Sequence, residues 1–153
     1  MEKIYRRAGP ADLEILVGTR LTVLRAIHGE KIDLTPHEPQ IRCYYQRALA
    51  DGSHVAYLVF EGQKLAGAGG MSIYQVMPSY RNPTGITACL MNIYTAPDFR
   101  RQGIAWHTLD LLVEEARSRG ISAITLDAAA MGRPLYEKYG FLPMDGEMEL
   151  TIR

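Results

Sequence analysis

The feature that most narrows the folds open to this chain is a strand that runs into a helix through an arginine-rich turn, over residues 93–105. Ile93, Tyr94 and Thr95 form a β-branched and aromatic run, and Ala96-Pro97 stops it. An amphipathic helix follows from Gly103 to Arg119, with Ala105, Leu109, Leu112, Val113 and Ala116 on one face and Asp110, Glu114 and Arg117 on the other. A helix start leaves several backbone N–H groups without partners and carries the positive end of the helix dipole, so an anion is favoured beside it. Gly103 lets an anion approach the main chain without a Cβ in the way, Ala105 keeps the helix start slim, and Arg100 and Arg101 add charge-assisted hydrogen bonds; Gln102 and Ile104 complete the turn. The same residues also read as a solvated helix start whose arginines face water, and the turn alone leaves both readings open. Neither a Gly-x-x-x-x-Gly-Lys run nor a Gly-x-Gly-x-x-Gly fingerprint occurs, which argues against the two common nucleotide-binding loops.

The rest of the chain surrounds this turn with material for one core. At 153 residues and 47% hydrophobic, it can bury a sizeable core without disulfides or metals, and a single domain over residues 1–153 is expected. Seventeen Lys plus Arg balance seventeen Asp plus Glu, so the net charge gives no footprint for nucleic acid or an anionic membrane surface. A small-molecule or peptide partner fits better. Cys43 and Cys89 belong to no metal or disulfide pattern, and His37 and His107 lack partners at metal-ligand spacing, so no metal is expected. The opening residues lack an apolar signal segment and no later run approaches the ~18 residues of a membrane span. A soluble, cytoplasmic chain is the expectation.

Periodicity orders the elements. A short strand at residues 4–6 precedes a helix starting near Pro10, with Leu13, Leu16, Val17, Leu21, Leu24 and Ile27 at helical spacing. Thr35-Pro36 supplies the start of a second helix running to about Ala50. Residues 55–60 and 65–74 form a hairpin around Glu61-Gly62-Gln63-Lys64, and Gly67, Gly69 and Gly70 imply curvature or close approach of another backbone. After a loop at residues 77–85, a strand covers residues 87–95; beyond the long helix come a strand at 121–126, a short helix at 133–139 and closing strand material at 144–152. The edge of that closing strand, from Met148 to Ile152, is the basis for expecting a homodimer. The order predicts an α+β, or mixed α/β, sheet domain.

Here the residues match a family. Arg100, Gly103 and Ala105 fill the fixed positions of a pattern that resembles the pyrophosphate-binding motif of the GCN5-related N-acetyltransferases (GNAT). Leu135-Tyr136-Glu137-Lys138-Tyr139-Gly140-Phe141 is similar to the family's second signature, downstream in the right order. The resemblance implies a GNAT-like fold, with a central, mostly antiparallel twisted sheet flanked by helices and splayed parallel central strands. It also implies an acyl-CoA-dependent N-acyltransferase that takes acetyl-CoA as co-substrate and acetylates a small amine or peptide acceptor. Two positions depart from the pattern: Ala129 stands where many members carry Asn, and Gly132 where Ala is usual.

The resemblance assigns roles to residues. Backbone groups of Ile93 and Thr95 are expected along the pantetheine arm, with an N–H near Ile93 or Tyr94 for the thioester oxygen. Tyr136 is the expected general acid, since a phenol titrating near ~10 stays protonated at neutral pH and outlasts a thiol near ~8.5. Asn92, on the central strand, and His28, Glu30, Asp33 and Glu38, around the first two helices, are the candidates for handling the acceptor's proton. Tyr80 and Arg81, in the 77–85 loop, are candidates for one acceptor wall, and Trp106 for a place near the cofactor or in the core. A non-catalytic acyl-CoA-binding module of the same fold is the alternative function.

Overall fold

Antiparallel pairing joins the first four strands, across two helices, a tight turn and a loop in succession, and one long helix supplies the single parallel crossover. In a computed structural model describing residues 1–152, the elements are β1 (Lys3–Arg7), α1 (Leu13–His28), α2 (Glu38–Asp51), β2 (His54–Glu61), β3 (Lys64–Gln75), β4 (Ile86–Thr95), α3 (Ile104–Ser118), β5 (Ala123–Leu126) and α4 (Arg133–Tyr139). The sheet order is β1-β2-β3-β4-β5; the first three pairings are antiparallel and β4 with β5 is parallel. This is the expected mixed architecture.

Each face of the sheet carries its own core. Val55, Met71, Ala88 and Leu90 lie under Leu109, Leu112, Val113 and Ala116 of α3. On the other face, Ala56, Leu58 and Ala68 lie under Leu16 and Val17 of α1 and Tyr45 of α2. Burying one such leucine stabilises the fold by about 1.5–3 kcal/mol. The glycines of β3 set how closely α3 sits: a Cβ on Gly67 would stand 2.7 Å from the Ile104 side chain, and one on Gly69 would stand 2.6 Å from Thr108. The start of α3 is thereby seated beside the end of β4.

Parallel pairing is short. It runs from Thr87 opposite Ala123 to Leu90 opposite Leu126, while β4 continues to Thr95, so residues 91–95 have no strand on that side. β4 thus runs five residues past the end of β5.

Three local expectations change. Pro10 opens a 3-10 turn (Pro10–Asp12) rather than the helix itself; buried Asp12 accepts the Gly9 N–H at 2.8 Å and a two-pronged contact from Arg6, and α1 begins at Leu13. The second helix starts at Glu38, with Pro39 in its first turn, because Asp33 takes the Thr35 N–H and holds Thr35-Pro36 in a turn. The closing strand is not formed: Met148, Leu150 and Ile152 are 98%, 84% and 87% exposed and belong to no ladder. Alternation says which residues would share a face, but a strand also needs an edge to pair with. The homodimer expectation loses the edge on which it rested. Among the described residues no helix is long and apolar enough to cross a membrane.

Candidate active site

The free stretch of β4 is also where its ladder to β3 breaks step. Met91 pairs with Gly70 and Tyr94 with Ala68, so Asn92 and Ile93 together stand opposite Gly69. Asn92 takes a left-handed φ of 60°, a conformation Asn tolerates better than most residues. The bulge sorts its neighbours: Ile93 packs into the α3 core and Tyr94 into the α1/α2 core. Asn92 is 8% exposed, and its Oδ1 has no hydrogen-bond partner.

Beyond Thr95 the chain is anchored and then left open. The Ala96 N–H donates to the Ala66 carbonyl at 2.8 Å, and Phe99 buries its ring with Val59, Ala66 and Ile104. Arg100, Arg101, Gln102 and Gly103 are exposed, Ile104 is buried and Ala105 is half-buried. Arg101 and Gly103 adopt left-handed φ values of 62° and 81°. No side chain caps the helix start, the position of a Gly103 Cβ is open space, and neither Arg100 nor Arg101 makes an ion pair among the described residues. Gly103 is needed for its backbone angle, and the room beside it is what an anion would enter. These residues fit the diphosphate of a coenzyme A.

Tyr136 sits on α4, half-buried against the same core that holds Ile93, and burial raises its phenol above the ordinary value. Its hydroxyl makes no hydrogen bond among the described residues. The ring rests on Gly132, where a Cβ would stand 2.9 Å from it. Tyr139 latches α4 to α3 by donating to Asp110 at 2.8 Å; burial and then Asp110 push its phenol up to about 12. Trp106 packs on Tyr139 and under Lys138 and is part-exposed, so it is a surface clasp between the two helices rather than core. A cleft of about 580 Å³ lies between β5, α4 and the segment from Phe141 to Glu147, lined by Tyr136, Leu126 and Asp127. None of residues 92–105 borders it, so the structure brings Ile93 and Tyr136 onto one core while leaving the turn outside that cleft.

The proton-handling candidates near the first helices disperse. His28 and Glu30 are exposed, Glu38 pairs with Arg42, and Thr35 holds the Asp33 carboxyl below its usual range, making it a weaker base. Tyr80 and Arg81 belong to the hairpin end of β4, the end away from the bulge, and Tyr80 is fully exposed. Among the described residues no three or more His, Cys, Asp or Glu come together to hold a metal.

Another polar set lies on the α2 face, and the sequence marks it only as helix and strand residues. The Tyr44 hydroxyl lies 2.8 Å from His54 Nδ1 and 2.5 Å from Ser72 Oγ. Burial lowers His54 to about 4, so it is neutral at physiological pH. Burial pushes the Tyr45 phenol up to about 12, with Arg20 and Asn92 pulling the other way. No spacing links these residues; only the fold assembles them.

A sequence profile of the acetyltransferase (GNAT) family matches residues 22–141. The chain is 34% identical to a predicted acetyltransferase from Clostridium acetobutylicum whose crystal structure was solved with acetyl-CoA; the match covers 98% of this chain and 96% of that one, with a TM-score of 0.91. It is 26% identical to a GCN5-related N-acetyltransferase from Ralstonia eutropha JMP134, over 99% of both chains, also with a TM-score of 0.91. Glucosamine-6-phosphate N-acetyltransferase from Arabidopsis thaliana, 17% identical over 100% of both chains, shares the fold with a TM-score of 0.71. No curated protein sequence matches the chain.

Proposed function

The chain belongs to the acetyltransferase (GNAT) family, and from that premise we propose that it is an acetyl-CoA-dependent N-acetyltransferase, one domain over residues 1–153, acting on a primary amine of a small molecule or peptide. The neutral amine attacks the thioester carbon directly, through a tetrahedral intermediate whose C–S bond breaks to give the amide and the coenzyme A thiolate, and the proton the nitrogen sheds passes to water. The observation that carries this reading is the unpaired stretch of β4 leading into an uncapped helix start beside two unpaired arginines. Acetyl-CoA supplies the activated thioester.

The protein's part is binding, orientation and proton transfer. Arg100 and Arg101, with the amides of Gln102, Gly103, Ile104 and Ala105, hold the diphosphate through charge-assisted and helix-terminal hydrogen bonds. Backbone groups of Ile93, Tyr94 and Thr95 face the gap beside β5 and pair with the amides of the pantetheine arm as a neighbouring strand would. An N–H at Ile93 or Tyr94 stabilises the oxygen as it gains charge. Asn92 accepts a hydrogen bond from the incoming amine and fixes its approach. Tyr136 protonates the departing thiolate; burial keeps its phenol protonated past neutral pH, so the acid form is present throughout the working range. Cys43 and Cys89 are free thiols, which suits a reducing cytoplasm.

The test is acetyl-CoA turnover across an amine panel, with Tyr136→Phe beside the wild type. Removing the acid lowers kcat by about 10²-fold or more, while calorimetric affinity for acetyl-CoA is unchanged. An unaltered rate would remove Tyr136 from the reaction. Tight acetyl-CoA binding with no amine acetylated would instead favour a non-catalytic binding module.

A further inference from the structure

Near the β4 bulge, α1 carries a positive charge that no carboxylate among the described residues neutralises. Arg20 follows Leu16 by one helical turn on α1, and Leu16 belongs to the core containing Tyr45 and Tyr94. α1 also touches β4 directly. Arg20 is half-buried, makes no ion pair among the described residues, and lies close enough for its charge to act on the Tyr45 phenol. Tyr45 in turn contacts Asn92, whose buried Oδ1 lacks a donor.

The acids of α1 and α2 are committed elsewhere. Glu14 and Glu38 both pair with Arg42, and Asp51 accepts the Ser53 N–H. No carboxylate acts on Tyr45. A half-buried guanidinium offers a planar fork of donors matched to a carboxylate or a phosphate, and without an internal partner that fork is free to take one from a ligand. An orphaned amide oxygen on β4 and an unpaired guanidinium on α1, two elements that pack together beside the Tyr45 and Tyr94 core, are complementary to a molecule with an amine at one end and an anion at the other.

We propose that the acceptor is an amine that also carries an anionic group, a carboxylate or a phosphate, and that Arg20 holds that group while the amine stands beside Asn92 at the β4 bulge. This rests on the N-acetyltransferase reading and narrows its acceptor class. Arg20 is then a specificity residue: it selects the acceptor and takes no part in moving protons.

The experiment compares matched pairs: amino acids against their α-carboxamides for a carboxylate source, and O-phosphoethanolamine against ethanolamine for a phosphate source. Turnover is measured with acetyl-CoA, and binding by calorimetry to the protein loaded with CoA. The wild type favours the anionic member of at least one pair by about tenfold or more, the size of one charge-assisted contact. Arg20→Gln brings that ratio towards one, Arg20→Lys keeps part of it, and Arg25→Gln, five residues further along the same helix, leaves it unchanged. Equal use of both members by the wild type, or a ratio that survives Arg20→Gln, overturns the proposal. Calorimetry with acetyl-CoA on the same samples separates the two failures. If acetyl-CoA does not bind, or no amine of either kind is acetylated, the N-acetyltransferase reading fails and this proposal with it; neutral amines acetylated as fast as anionic ones overturn the Arg20 assignment alone.

Discussion

Asn92 and Arg101 are the two non-glycine residues in the described chain with positive φ, and both lie on the path from the β4 bulge to the start of α3. Backbone strain of this kind, about 1–3 kcal/mol per residue, persists where surrounding structure enforces it, and it gathers at functional sites. Gly132 shows a different constraint. Its φ of −89° suits any residue, yet a Cβ there would stand 2.9 Å from the Tyr136 ring and 3.4 Å from its hydroxyl. Gly132→Ala therefore displaces the phenol from its seat. Steady-state kinetics should show kcat falling by roughly tenfold, since small misplacements of a reacting group are costly, with the KM for acetyl-CoA little changed. A kcat equal to the wild type's would mean that the Tyr136 position does not limit the reaction. The usual alanine at this point would crowd this particular tyrosine, so the departure from the family pattern and the ring's placement belong together.

At the scale of elements, α3 explains why the turn is held so firmly. Ile104 and Thr108 fill the space left by Gly67 and Gly69, and Thr108 returns its hydroxyl to the Ile104 carbonyl at 2.8 Å. The helix start is fixed against the sheet, and the turn before it has one geometry to adopt. Arg101 meets that geometry at a cost, because an L-residue in the left-handed region loses about 1–2 kcal/mol, and glycine returns about 0.5–1 kcal/mol of it as chain entropy. Arg101→Gly should thus raise the thermal midpoint slightly while raising the KM for acetyl-CoA, two shifts in opposite senses from one change. A variant that loses stability as well as affinity would show that the Arg101 side chain supports the fold. The strand β4 was legible as a strand from its β-branched and apolar run; its bulge was not, because a bulge depends on what the partner strand places opposite, here Gly69.

Over the whole molecule, the elements most readable in the sequence were those with their own internal signals. The β2–β3 hairpin carries a turn between two runs rich in apolar and small residues, α3 carries a stripe of apolar residues, and α4 is framed by Gly132 and Gly140. The turn proposed to hold the diphosphate was visible because its chemistry is local. What the sequence hid is what tertiary contact creates: the unpaired end of β4, the packing of α1 with its Arg20 against β4 and the Tyr45 core, and the exposure of Met148, Leu150 and Ile152, which were expected in a strand. Donor recognition is accordingly the better-determined half of the proposed reaction, and its centre is the path from Ile93 to Ala105. The most direct test is a calorimetric titration of acetyl-CoA into the wild type and into a double variant carrying Arg100→Gln and Arg101→Gln. The wild type should bind one equivalent, and the variant should bind at least about tenfold more weakly through the loss of charge-assisted contacts. Absence of binding to the wild type, or equal affinity for both proteins, would contradict the assignment of this turn to the coenzyme.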